Sequence, residues 1–260
     1  MDVVRAARVE DGACRHMLAW RAGPGWRMIG SAVLGGGLGE RAWVLNAQVR
    51  PGYDRMDPQA HLGELARGLG LSGPGMGLLT AASVDAFVHA EDDGVEAVVT
   101  AGLGVPTWAA APDYVPAPYR PGTINILAAV PAALADAALV NCVTTATEAK
   151  VQALLDAGYD CSGTASDAVC IAARVPAAPG RGRQQPEPFG GPRSRWGARL
   201  ARAVYEAVYQ AAAADVARRA AGEPAVHLAT TEACTAPARP SAGRLVSSST
   251  WSDLRSARTP

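Results

Sequence analysis

The chain has 260 residues, 49% of them hydrophobic, and carries 24 Lys and Arg against 24 Asp and Glu. That is enough apolar material for a substantial core in one large domain or two small ones. The charge balance gives no electrostatic basis for a nucleic-acid partner, and with no run of about 18 apolar residues no membrane insertion is expected.

The opening stretch carries acids early and does not read as a secretory signal. Cys14, Cys142, Cys161, Cys170 and Cys234 are odd in number and form no C-x-x-C pair. Such spacing fits reduced thiols in a cytoplasmic protein better than a disulfide framework or a zinc site.

In chain order, strands are predicted at 15–21 and 26–33, joined as an antiparallel hairpin by Gly23-Pro24-Gly25. A third strand is expected within 41–50. Asp57 as N-cap and Pro58 at the first helical position open a helix to about Leu69. Beyond it the pattern alternates: strand 76–79, helix 83–90, then strands 95–100, 123–127 and 139–143. Helix 145–157, strand 168–175 and helix 194–219 complete it. The expected fold is α/β, a single layered domain with a mixed sheet flanked by helices and an N-terminal antiparallel hairpin. That domain covers 1–221. Residues 174–193, rich in Pro, Gly and Arg, read as a loop, and 222–260 reads as a disordered tail on composition.

Gly68, Gly70 and Gly73 match G-x-G-x-x-G, but a helix precedes them where a dinucleotide site needs a strand. No G-x-S-x-G or H-E-x-x-H occurs, and His16, His61, His89 and His227 are far apart. A catalytic triad and a histidine metal site therefore lack support, and no metal or cofactor is expected.

Three polar clusters remain. In "PGTINI", strand alternation puts Thr123 and Asn125 on one face, able to bind a polar ligand or to sit satisfied at a sheet edge. In "TATEAK", Thr145 and Glu148 have capping-box spacing, while Thr147 and Lys150 have no role in a cap. In "GTASD", Gly163, Thr164, Ser166 and Asp167 form either a turn or a ligand loop at the mouth of a strand.

These clusters occur with "LNAQV", "GLLTAA", "VTAGLGVPTWA" and "FGGPRSRWGARLARAVYEAV" in the order found in one known family. From about residue 31 to 208 the chain resembles the adenosylcobinamide amidohydrolases. The resemblance implies corrinoid salvage: hydrolysis of the amide joining aminopropanol to the corrin ring, with release of adenosylcobyric acid. Cobalt would belong to the substrate. A homo-oligomer is compatible with this reading.

Amide hydrolysis needs a general base, donors for the oxyanion and a proton for the leaving amine. Asp167 or Glu148 is the candidate base, with Lys150 and Thr147 as catalytic donors. Asn46, Thr80, Trp108, Thr123, Asn125, Thr145, Gly163, Thr164 and Ser166 are the candidate substrate-binding residues. A non-catalytic corrinoid-binding protein and an amidase with a threonine nucleophile remain alternatives.

Overall fold

The computed structural model describes residues 1–112, 122–176 and 185–222 in full, and the backbone of 245–247. The elements are β1 (Val3–Glu10), β2 (Ala13–Trp20), β3 (Trp26–Gly30), β4 (Gly37–Glu40), β5 (Trp43–Gln48), α1 (Pro58–Gly68) and β6 (Gly75–Thr80). A 3-10 turn at Val84–Ala86 leads to β7 (Val88–Asp92), β8 (Val95–Leu103) and β9 (Gly122–Ala133). Then come α2 (Asp136–Asp156), β10 (Ala168–Arg174), α3 (Arg195–Ala220) and β11 (Leu245–Ser247).

Two Asp-Gly pairs make tight turns. Asp11-Gly12 joins β1 to β2 and Asp93-Gly94 joins β7 to β8, each residue at positive φ as a two-residue hairpin requires. The strands form two mixed sheets, ordered β1-β2-β5-β6 and β11-β7-β8-β9-β10-β3-β4. Strand alternation then sorts the side chains into layers. Leu18, Val44 and Leu78 of the smaller sheet meet Met28, Val98 and Leu127 of the larger one between the sheets. Met17, Leu45 and Ala47 face the other way, against Leu62 and Ala66 of α1. Val99, Ile126 and Ile171 turn from the inter-sheet layer towards Leu139 of α2 and Leu200 and Val204 of α3. The result is a four-layer helix–sheet–sheet–helix sandwich, an α/β fold as expected.

Several elements differ from the sequence reading. The expected 15–21/26–33 hairpin does not form: β2 pairs with β1 and β5, whereas β3 pairs with β10 and β4. Residues 21–25 instead cross between sheets, and Trp20 meets Trp26 edge-on at 4.9 Å. The expected helix 83–90 is only a 3-10 turn, because the Asp93-Gly94 hairpin draws 88–92 into the sheet. Asp57 holds the N-cap position but makes no capping bond with its side chain, whose carboxylate binds Arg55 instead.

The largest correction concerns 139–143, expected as a strand. It lies inside α2, which begins at Asp136 with Ala135 as N-cap, so Thr145 caps nothing. The buried positions Leu139, Cys142, Thr145, Ala146, Ala149, Lys150 and Ala153 recur every three or four residues, a helical stripe facing the larger sheet. β9, α2 and β10 thus form a parallel strand–helix–strand unit.

The tail reading falls outside the described residues except at Leu245–Ser247, which pairs in parallel with β7; of the 174–193 loop, 177–184 also falls outside. Among the described residues no helix is long and apolar enough to cross a membrane. Cys142, Cys161 and Cys170 are free and buried, while Cys14 is disulfide-bonded, which departs from the expectation of five reduced thiols.

Helix and strand phases at 139–143 predict different mutational costs. Leu139→Ala should lower stability by ~2–5 kcal/mol, as for a fully buried leucine. Val140→Ala, at a half-exposed position, should change it by less than about 0.5 kcal/mol. Thermal denaturation of the two variants checks the phase.

Candidate active site

The N-terminal ends of β9 and β10 lie side by side, and α2 passes over them on the outer face of the larger sheet. Asp167, just before β10, turns its carboxylate to that face. Lys150 reaches it from the buried stripe of α2, with Nζ 2.5 Å from Oδ2. The two side chains are only 8% and 10% exposed.

The Asp167 carboxylate is fully engaged. Oδ2 accepts from Lys150 Nζ and from the Thr164 backbone N–H at 3.1 Å. Oδ1 accepts from the Ile124 backbone N–H at 2.9 Å and lies within reach of the Thr164 hydroxyl. That accounts for the roughly four lone-pair sites of a carboxylate. The Thr164 hydroxyl has a single proton and a second acceptor, the Gly122 carbonyl at 3.0 Å. Turning to it frees one lone pair on Asp167. Lys150 has the converse surplus: an ammonium group has three donors, and among the described residues it spends one, on Asp167.

Gly163 makes this pairing sterically possible. A Cβ there would stand 2.1 Å from Asp167 Oδ2 and 2.5 Å from Lys150 Nζ, where no atom fits. At the same end of the strands but across the sheet, Thr123 Oγ1 and Ser166 Oγ are 2.6 Å apart, and both also reach the Gly122 carbonyl. The Trp108 loop is fastened alongside, with Thr107 N–H donating to the Gly163 carbonyl at 2.8 Å.

A buried ammonium with spare donors beside a carboxylate that shares a threonine hydroxyl suits attack on a carbonyl carbon. Comparison with known proteins agrees with that chemistry. The adenosylcobinamide amidohydrolase family model matches residues 1–220. The chain belongs to that family. A relative from Methanosarcina mazei named adenosylcobinamide amidohydrolase is 32% identical over 180 residues, 68% of this chain and 86% of its own. One of the same name from Halobacterium salinarum is 40% identical over 122 residues, 46% of this chain and 49% of its own. Membership makes the chain a hydrolase acting on an amide bond.

Within this amidohydrolase fold the residues singled out in the sequence divide into five groups. Lys150, Asp167, Gly163 and Thr164 form the site just described, and Trp108 follows Thr107, which is bonded to Gly163. Thr123, bonded to Ser166, lies at the same end of the strands but turns to the opposite face, as Asn125 does. Asn46, Thr80 and Asn125 lie on the other face of the larger sheet, in the layer between the sheets. There Asn125 Nδ2 donates to Asn46 Oδ1 and to the Leu79 carbonyl, Asn46 Nδ2 donates to Thr100, and Thr80 accepts from the Ala82 N–H. Thr145 is buried and donates to the Gly190 carbonyl at 2.9 Å, fixing the Gly190-Gly191 turn against α2. Thr147 and Glu148 are exposed; two residues from Lys150 turns Glu148 about 200° around the helix, into a groove with Arg202 and Tyr205. The structure does not bring either to the Lys150–Asp167 pair.

Sequence reasoning missed the Gly122 carbonyl, the Ile124 N–H and Thr107. Backbone groups carry no residue signature, and Thr107 acts here only through its own. Among the described residues the free cysteines are poor nucleophiles: burial pushes Cys142 and Cys170 up to about 12 and raises Cys161, which disfavours the thiolate. Among the described residues, no group of three or more His, Cys, Asp or Glu is placed to hold a metal ion.

Two outcomes follow from the burial of the pair. Lys150→Met leaves a buried carboxylate without its cation and should cost about 3 kcal/mol, which Lys150→Met with Asp167→Asn should largely restore. Gly163→Ala should destabilise by ~1–3 kcal/mol, since the pair must separate to admit the methyl group. Melting curves of the three proteins read both effects.

Proposed function

We propose that this chain hydrolyses the amide joining aminopropanol to the corrin ring of adenosylcobinamide, giving adenosylcobyric acid and 1-amino-2-propanol, as a step of corrinoid salvage in the cytoplasm. The observation that carries the reading is the buried Lys150–Asp167 pair, whose ammonium keeps donors to spare and whose carboxylate can release one acceptor site.

When the Thr164 hydroxyl turns to the Gly122 carbonyl, Asp167 Oδ1 accepts a proton from water, and the hydroxide attacks the amide carbon. Negative charge gathers on the carbonyl oxygen, where the free N–H groups of Lys150 stabilise it. As the C–N bond breaks, Asp167 returns the proton to the departing amine, so one carboxylate serves as base and then as acid. The new carboxylic acid loses its proton to solvent. Thr123 and Ser166 orient the substrate's polar substituents at the strand ends. No resident metal has a role in this scheme, and cobalt enters only within the substrate.

Incubation of pure protein with adenosylcobinamide should release 1-amino-2-propanol, detected by mass spectrometry, and chelator pretreatment should leave the rate within about two-fold. The Lys150→Met, Asp167→Asn double variant, folded but stripped of both groups, should lose ~10²-fold or more in turnover. Glu148→Gln, away from the pair, should retain near-normal turnover. Binding of substrate without release of aminopropanol would make the protein a corrinoid binder instead.

A further inference from the structure

Trp108 is 43% exposed, a large apolar surface left in water. Exposed aromatic side chains on slack loops need no explanation. This one is fastened on both sides. Before it, Thr107 N–H donates to the Gly163 carbonyl at 2.8 Å and the Thr107 carbonyl accepts from the Ser162 N–H at 3.1 Å. After it, the Ala109 N–H donates to the Ser162 hydroxyl oxygen at 2.7 Å. That hydroxyl in turn donates back to the Thr107 carbonyl at 3.2 Å. The clip lands on the residue whose missing side chain admits the Lys150–Asp167 pair. Cross-strand and along-chain spacings put the Trp108 backbone on the order of 10 Å from the Lys150 ammonium.

Resting on the amidohydrolase reading above, we infer that Trp108 is the platform on which the flat apolar face of the substrate's macrocycle lies, and that Ser162 is the positioning residue that holds it there. The amide to be cut stands at the edge of the macrocycle. A site that grips only the amide would therefore leave the ring face in water, and an exposed indole whose backbone is anchored next to the Gly163 contact offers that face an apolar surface while the substrate's side chain reaches inward. An aromatic clamped by backbone hydrogen bonds loses little freedom on binding, so its contact area converts to affinity with little offset. Neither residue takes part in proton transfer, so their loss should weaken binding and spare the chemical step.

The test is equilibrium binding of cobinamide by calorimetry, with steady-state kinetics on adenosylcobinamide, for the wild type, Trp108→Ala, Trp108→Phe and Ser162→Ala. The expected result for Trp108→Ala is a Kd and KM raised ~10-fold or more with kcat within about three-fold, Trp108→Phe staying within about three-fold in all three. Ser162→Ala should raise Kd in the same direction by a smaller factor. All variants should melt near the wild type, since the Trp108 side chain is half in solvent. A Trp108→Ala protein that binds cobinamide within two-fold of the wild type overturns the platform and leaves the hydrolase reading standing. A wild type that neither binds cobinamide nor cleaves its adenosyl form overturns the hydrolase reading itself. Equal losses in kcat for Trp108→Ala and Trp108→Phe, with Kd unchanged, would show that the loop shapes the reacting pair and not the ring face.

Discussion

The ion pair between Lys150 and Asp167 is the interaction on which the site depends. Two buried charges lose several kcal/mol of hydration apiece, and only close contact with full hydrogen bonding offsets that loss. The fold meets both conditions. Two backbone N–H groups and a hydroxyl join the ammonium on the carboxylate, and Gly163 leaves room for the contact. Such an arrangement is fixed in space before any substrate arrives, the condition under which charges act on a transition state without reorganising.

What holds the pair in register is the strand–helix–strand unit. β9 supplies the Ile124 N–H, the Gly122 carbonyl and Thr123; α2 supplies Lys150; the segment leading into β10 supplies Gly163, Thr164, Ser166 and Asp167. Because β9 and β10 are parallel, their N-terminal ends fall at the same end of the sheet, so residues 42 to 44 apart in the chain converge there. On the opposite face of β9, Asn125 joins Asn46 and Thr100 in a separate polar network that ties the two sheets. The Lys150–Asp167 pair lies on the outer face of β9, and the Asn46–Asn125 network on the inner one.

The sequence reading of "TATEAK" went astray for an identifiable reason. Thr145-x-x-Glu148 has the spacing of a capping box, and the apolar residues before it resemble a short strand. Extending the helical period back to Asp136 accounts for Leu139, Cys142, Thr145, Ala149 and Lys150 as one stripe. In that phase Lys150 is inside and Glu148 outside, so the lysine and the glutamate of one six-letter motif part company. The same trade-off decided 83–90, where apolar spacing suggested a helix and an Asp-Gly hairpin prevailed.

By itself, the sequence determined the α/β class, strands close to those at 43–48, 75–80, 95–103 and 168–174, the long last helix, and the residue types able to cleave an amide. Those are local matters: alternation, capping and side-chain chemistry are all written in neighbouring letters. Tertiary structure alone decided that the strands split into two sheets, that Lys150 pairs with Asp167, and that Asn46 and Asn125 serve the inter-sheet layer. These depend on which distant segments meet, and burial in a low-dielectric interior gives a charge its meaning only after they have met.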